Sequence, residues 1–150
     1  GHTASVLRDG KVLVAGGFNG DLNIYLNSAI LYDPSTRTWR KTDSMNNTRR
    51  FHTASVLSDG RVLVAGGFDG RTHLNSTELY DPLIGLWTTT GSMNDARQLH
   101  TASVLTNGKV LVTGGSGVID VLNGAELYDP LTGLWTTIDH TNDARQLHTA

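Results

Sequence analysis

Four histidines recur in phase along the chain, at His2, His52, His100 and His148, and three arginines keep the same rhythm at Arg49, Arg97 and Arg145. A ring of imidazoles drawn from successive units has the donor chemistry of a zinc site. The competing reading is local: each His opens a strand and hydrogen-bonds to its neighbour. A residue repeated in every unit is explained by the unit, not by a unique site, so no metal ligands and no cofactor are assigned. The arginines pose the same choice. They are either cations presented to a ligand or structural groups pairing with Glu78 and Glu126, and their periodicity favours pairing.

Recognition is expected where the units differ. Arg50 stands where the other units have Gln98 and Gln146, and Ile30 stands where they have Glu78 and Glu126. Three stretches that follow glycine pairs also diverge: Phe18 to Tyr25, Phe68 to His73, and Ser116 to Asp120, the first being two residues longer than the second. Variable loops on a rigid repeated scaffold are where binding groups are placed. Tyr25, Arg71, His73 and Asp120 are therefore candidate contacts, beside Arg49, Arg50, Arg97 and Arg145. No Ser-His-Asp order and no carboxylate pair outside the repeat pattern suggests hydrolysis, so no catalytic residue is assigned.

The elements that must hold these groups follow from the repeat itself. His-Thr-Ala-Ser-Val-Leu begins at His2, His52 and His100, and a further copy starts at His148, giving spacings of 50, 48 and 48 residues. A unit of that length makes one small sheet and cannot bury its own apolar face alone. In the second unit, Thr53 to Leu57 and Arg61 to Ala65 are β-favouring runs separated by Asp59-Gly60, a hairpin signal that suggests a type I′ turn. Asp9-Gly10 and Asn107-Gly108 repeat it. The second run is apolar at consecutive positions and should be covered on both faces. After Gly66-Gly67 and a variable stretch comes Leu79-Tyr80-Asp81-Pro82. Tyr80 suits a half-buried strand, and Asp81-Pro82 starts a turn. Gly85 and Gly133 finish this turn, with Arg37 in the equivalent place. Trp39, Trp87 and Trp135 each open a fourth strand. Four antiparallel strands per unit result, and no segment sustains a helical apolar period.

Composition narrows the classes. The net charge of -2, from 12 basic and 14 acidic residues, supplies no electrostatic pull toward nucleic acid. Apolar runs such as Val12 to Ala15 are too short for membrane insertion. With no cysteine, disulfides, thiolate zinc sites and a cysteine nucleophile are excluded within these residues. Asn46-Asn47-Thr48 and Asn75-Ser76-Thr77 fit the glycosylation acceptor pattern at a level chance explains. Compartment stays open.

Assembled, each unit reads His-Thr-Ala-Ser-Val-Leu, Asp/Asn-Gly, Val-Leu-Val, Gly-Gly, Leu-Tyr-Asp-Pro, a Trp, and then Met-x-x-x-Arg, with Thr141 in place of Met45 and Met93. This resembles the kelch repeat (type 1) along essentially the whole chain. The resemblance implies an all-β fold: a kelch-type β-propeller in which three four-stranded antiparallel blades form an open partial propeller. The expected units are 2–51, 52–99 and 100–147 within one segment, 1–150, with a fourth starting at 148–150. Such an arc is expected to be cut from a six- or seven-bladed ring, the missing blades coming from the same parent chain or from a second copy. In kelch substrate receptors, an Arg of the Met-x-x-x-Arg element can line the ligand face, on the side where the variable loops emerge. The resemblance implies a non-enzymatic scaffold binding a protein or peptide through its inter-strand loops. The alternatives are the propeller part of an extracellular oxidase resembling galactose oxidase, a glycan-binding protein, or a plain spacer. The copper centre of such an oxidase needs a Tyr cross-linked to a Cys, which these residues cannot supply.

Overall fold

A computed structural model describes residues 1–149. It contains three four-stranded antiparallel sheets, each consecutive in sequence. Blade 1 is β1 (Thr3–Val6), β2 (Val12–Asn19), β3 (Ile24–Asp33) and β4 (Thr38–Lys41). Blade 2 is β5 (Thr53–Val56), β6 (Val62–Ala65), β7 (Thr77–Asp81) and β8 (Leu86–Thr89). Blade 3 is β9 (Thr101–Val104), β10 (Val110–Thr113), β11 (Ala125–Asp129) and β12 (Leu134–Ile138). The first strands β1, β5 and β9 are neighbours, so the blades fan from an inner edge as an open arc. Among the described residues, no helix is long and apolar enough to cross a membrane. The expected fourth start at 148–150 includes Ala150, which lies outside the described residues.

The Asp-Gly hairpins form where expected, but not as type I′ turns. Leu7 N–H donates to Lys11 O at 2.8 Å and Gly10 N–H to Leu7 O at 3.0 Å, which leaves three residues in the loop. Only Gly10 is left-handed, at φ 81°. This is a type I turn closed by a glycine bulge. Asp9 contributes its carboxylate instead, accepting Lys11 N–H at 3.1 Å. Leu57 to Arg61 and Leu105 to Lys109 repeat the same bonds. Arg37 adopts φ 57° where Gly85 and Gly133 stand.

Burial along the second strands shows which blade lies between the others. All four residues of β6 are buried, whereas β10 and the start of β2 alternate. Leu13 and Ala15 turn toward blade 2 and pack with Val62, Val64, Tyr80 and Trp87. Leu63 and Leu79 pack with Val110 and Tyr128 of blade 3. The core thus lies between sheets, because a single sheet has nowhere else to bury these side chains. Tyr80, expected to be half-buried, is wholly buried. It lies 5.0 Å from the Trp87 ring. Trp87 is 7% exposed and Trp39, in the same register, 58%. The difference is that blade 2 has a blade in front of it and blade 1 has none.

Candidate functional site

Each connection from one blade to the next carries an arginine forward into the following sheet. Arg49 Nη2 meets Glu78 Oε1 at 2.7 Å and Arg97 Nη2 meets Glu126 Oε1 at 2.9 Å, all four side chains fully buried. Arg49 Nη1 also donates to Gly66 O and Ser76 O, and Arg97 Nη1 to Gly114 O and Gly124 O. Each glutamate further accepts backbone N–H groups, from Asn46 and Asn47 or from Asn94 and Asp95. Burial lowers the pKa of Arg49, and its bond to Glu78 opposes that shift. Arg49 and Arg97 therefore have no surface to offer a ligand. Arg145 is exposed, 3.9 Å from Asp143.

The in-phase histidines form a second internal device. His52 Nε2 bonds Thr3 Oγ1 at 2.9 Å, His100 Nε2 bonds Thr53 Oγ1 at 3.0 Å, and His148 Nε2 bonds Thr101 Oγ1 at 2.8 Å. His52 and His100 thus tie the starts of β5 and β9 to the blade before, His148 ties the segment after blade 3 back to β9, and His2 is exposed. Burial, then the nearby Arg49 charge, pushes His52 down to about 3, and burial with Arg97 does the same to His100. These rings stay neutral at ordinary pH. Among the described residues, no group of three or more His, Cys, Asp or Glu could hold a metal ion.

A different cluster forms where the variable loops meet the connection between blades 1 and 2. The Arg50 guanidinium lies over Phe18, Tyr25, Phe51 and Phe68, at 5.3, 5.0, 4.7 and 5.6 Å from the ring centroids. Backbone bonds between Arg50 and Phe68, N–H to O in both directions, hold the base of this cluster. Tyr25 packs on Phe18 and Phe68, and the second loop rests on it through Gly70. A Cβ there would lie 2.6 Å from Tyr25 Cε2, so the close approach requires glycine. Phe68 continues to His73 at 5.5 Å, and His73 Nε2 meets Gln98 Nε2 at 3.0 Å. Arg50 Nε is buried without a partner. Among the described residues its guanidinium makes no ion pair and no hydrogen bond, and four rings face the charge.

Of the sequence candidates, Tyr25, Arg50 and His73 come together here. Arg71 is exposed on the same loop, where its N–H bonds Asp69. Asp120 lies elsewhere, on a groove of about 270 Å³ between Asn94 to Ala96 and the exposed Val118 and Ile119. Phe18, Phe51, Phe68 and Gln98 complete the Arg50 cluster without having been singled out. Phe18 and Phe68 held matching places after the glycine pairs, which was the available signal. The KLHDC2/KLHL20/DRC7 Kelch-repeats domain model matches residues 1–150. No curated protein gives a significant match.

Proposed function

The chain belongs to the kelch-repeat family, and on that premise we propose that it is a non-catalytic module binding a protein or peptide on the loop face around Arg50. Kelch-repeat domains are generally protein-interaction scaffolds. What supports this particular surface is one observation: Arg50 carries a charge that no carboxylate among the described residues answers, on a floor of four aromatic rings. A guanidinium in such a setting is preorganised, since stacking restricts its rotamers before a ligand arrives. An acidic side chain of the partner completes the pairing, while Tyr25 and His73 supply contacts beside it. Arg49 and Arg97 act beneath this face as supports.

The test is selection from a displayed random-peptide library with the wild-type chain and with Arg50→Gln, the residue type of the other units. Wild type should enrich peptides containing Asp or Glu, and the variant should lose that enrichment while its thermal midpoint stays close to wild type. If both chains recover the same peptides, Arg50 is not the recognition centre. If replacing the β2–β3 hairpin end (18–25) and the 68–73 loop with Gly-Ser leaves recovery unchanged, the chain is a spacer at this face.

A further inference from the structure

The loops at the two junctions inside the chain occupy equivalent places and carry opposite charge. Where blade 1 meets blade 2, these places hold Arg50, Phe68, Arg71 and Thr72; where blade 2 meets blade 3, they hold Gln98, Ser116, Ile119 and Asp120. Asn47 is likewise replaced by Asp95. The backbone keeps its pairing through these changes. Arg50 bridges Phe68 and Phe68 bridges His73, just as Gln98 bridges Ser116 and Ser116 bridges Val121. Both clusters therefore open on the same side of the arc, each between two blades of this chain.

The second place has a groove of about 270 Å³ instead of a floor of rings, lined by Val118, Ile119 and the two aspartates. Val118 and Ile119 are 70% and 90% exposed, so neither packs inside the chain. Gly117 N–H donates to Asp120 O at 2.8 Å and fixes the turn that presents them. Among the described residues Asp120 makes no ion pair. Asp95 lies 3.4 Å from Arg97 Nη2, but that guanidinium is committed to Glu126 at 2.9 Å. The groove is thus apolar with surplus negative charge. A track of contacts joins it to the Arg50 cluster. Phe68 packs on His73, His73 Nε2 meets Gln98 Nε2 at 3.0 Å, and Gln98 and Ser116 exchange backbone hydrogen bonds at 3.0 and 2.7 Å.

The geometry points to two-point recognition: the partner segment that gives an acidic side chain to Arg50 also gives a lysine or arginine to the Asp95–Asp120 groove, at one fixed separation. This rests on the reading of Arg50 above and adds the second contact. A long cationic side chain suits both features of the groove, its methylene stem lying on Val118 and Ile119 while its head reaches the carboxylates. A plain aliphatic side chain would cover the walls and leave the carboxylates unanswered, and an acidic one would be repelled. Opposite charges at the two ends also set the direction of the segment. Reversed, it would bring like charges together at both ends.

The test extends the displayed random-peptide selection to three forms of the complete chain: wild type, Arg50→Gln, and the double variant Asp95→Asn with Asp120→Thr. The last two replacements are the residue types at the equivalent places, Asn47 and Thr72, and both positions are exposed. Wild type should enrich peptides in which Asp or Glu and Lys or Arg recur in constant order and at constant spacing. The double variant should keep the acidic preference and lose the basic one, and Arg50→Gln should do the reverse. A synthetic peptide of the enriched sequence should bind up to about fivefold more weakly for each carboxylate removed. That difference should shrink as salt is raised, in titration calorimetry. Near-UV circular dichroism checks that each variant keeps its fold. Acidic enrichment with no basic residue at a fixed spacing would overturn the two-point track and leave the Arg50 reading standing. Basic enrichment that survives in the double variant would overturn it as well. Basic enrichment without any acidic preference in wild type would refute the Arg50 reading, and the paired recognition with it.

Discussion

At the scale of the residue, repetition and exposure have opposite meanings in this molecule. Arg49 and Arg97, and the histidines His52, His100 and His148, are buried or bonded from blade to blade, while Arg50, which occurs once, makes no ion pair among the described residues. The buried histidines give a direct pH prediction. His52 and His100 fall from an ordinary 6.5 to about 3 on folding, so between those values the unfolded chain binds more protons than the folded one. Stability is full above about pH 6.5 and is lost as the pH falls through this window, by up to about 1.4 kcal/mol per pH unit for each ring. His100→Gln keeps a polar group facing Thr53 but cannot titrate. Its thermal midpoint should fall less steeply than that of wild type between pH 7 and pH 4. Parallel curves would assign the acid sensitivity to other groups.

At the scale of the element, each blade is finished by the next. A tryptophan removes roughly 150–250 Å² from water when buried, about 4–6 kcal/mol before entropy is subtracted. Trp87→Ala should therefore cost about 3–5 kcal/mol, whereas Trp39→Ala, at an equivalent register with no blade in front, should cost less than about 1 kcal/mol. Urea unfolding of the two variants checks this, and equal losses would refute the account of the junctions. Much of this layer was legible in sequence. The Asp-Gly pairs located the hairpins, the Trp residues located the fourth strands, and the apolar second run of the middle unit marked β6 as covered on both faces, whereas β2 and β10 alternate. The turn type was not legible, because Asp-Gly suits either a two- or a three-residue loop and the pairing of Leu7 with Lys11 decides between them. Nor was the aromatic floor under Arg50, since its rings come from segments that meet only once the blades stack.

At the scale of the whole molecule, stability runs in one dimension. Each sheet contacts only its neighbours, so the middle blade is held from both sides and the outer two from one. Native-state hydrogen exchange should be slowest in β6 and β7 and faster in the corresponding strands β2, β3, β10 and β11. Uniform protection across all three blades would show instead that the arc opens as a single cooperative unit. The crossing pairs also carry an order in time. Arg49 precedes Glu78 by 29 residues, and Arg97 precedes Glu126 by the same distance. On the ribosome, each of these guanidinium groups emerges before the carboxylate that neutralises it. Each junction can therefore close only after the blade that follows it has been made.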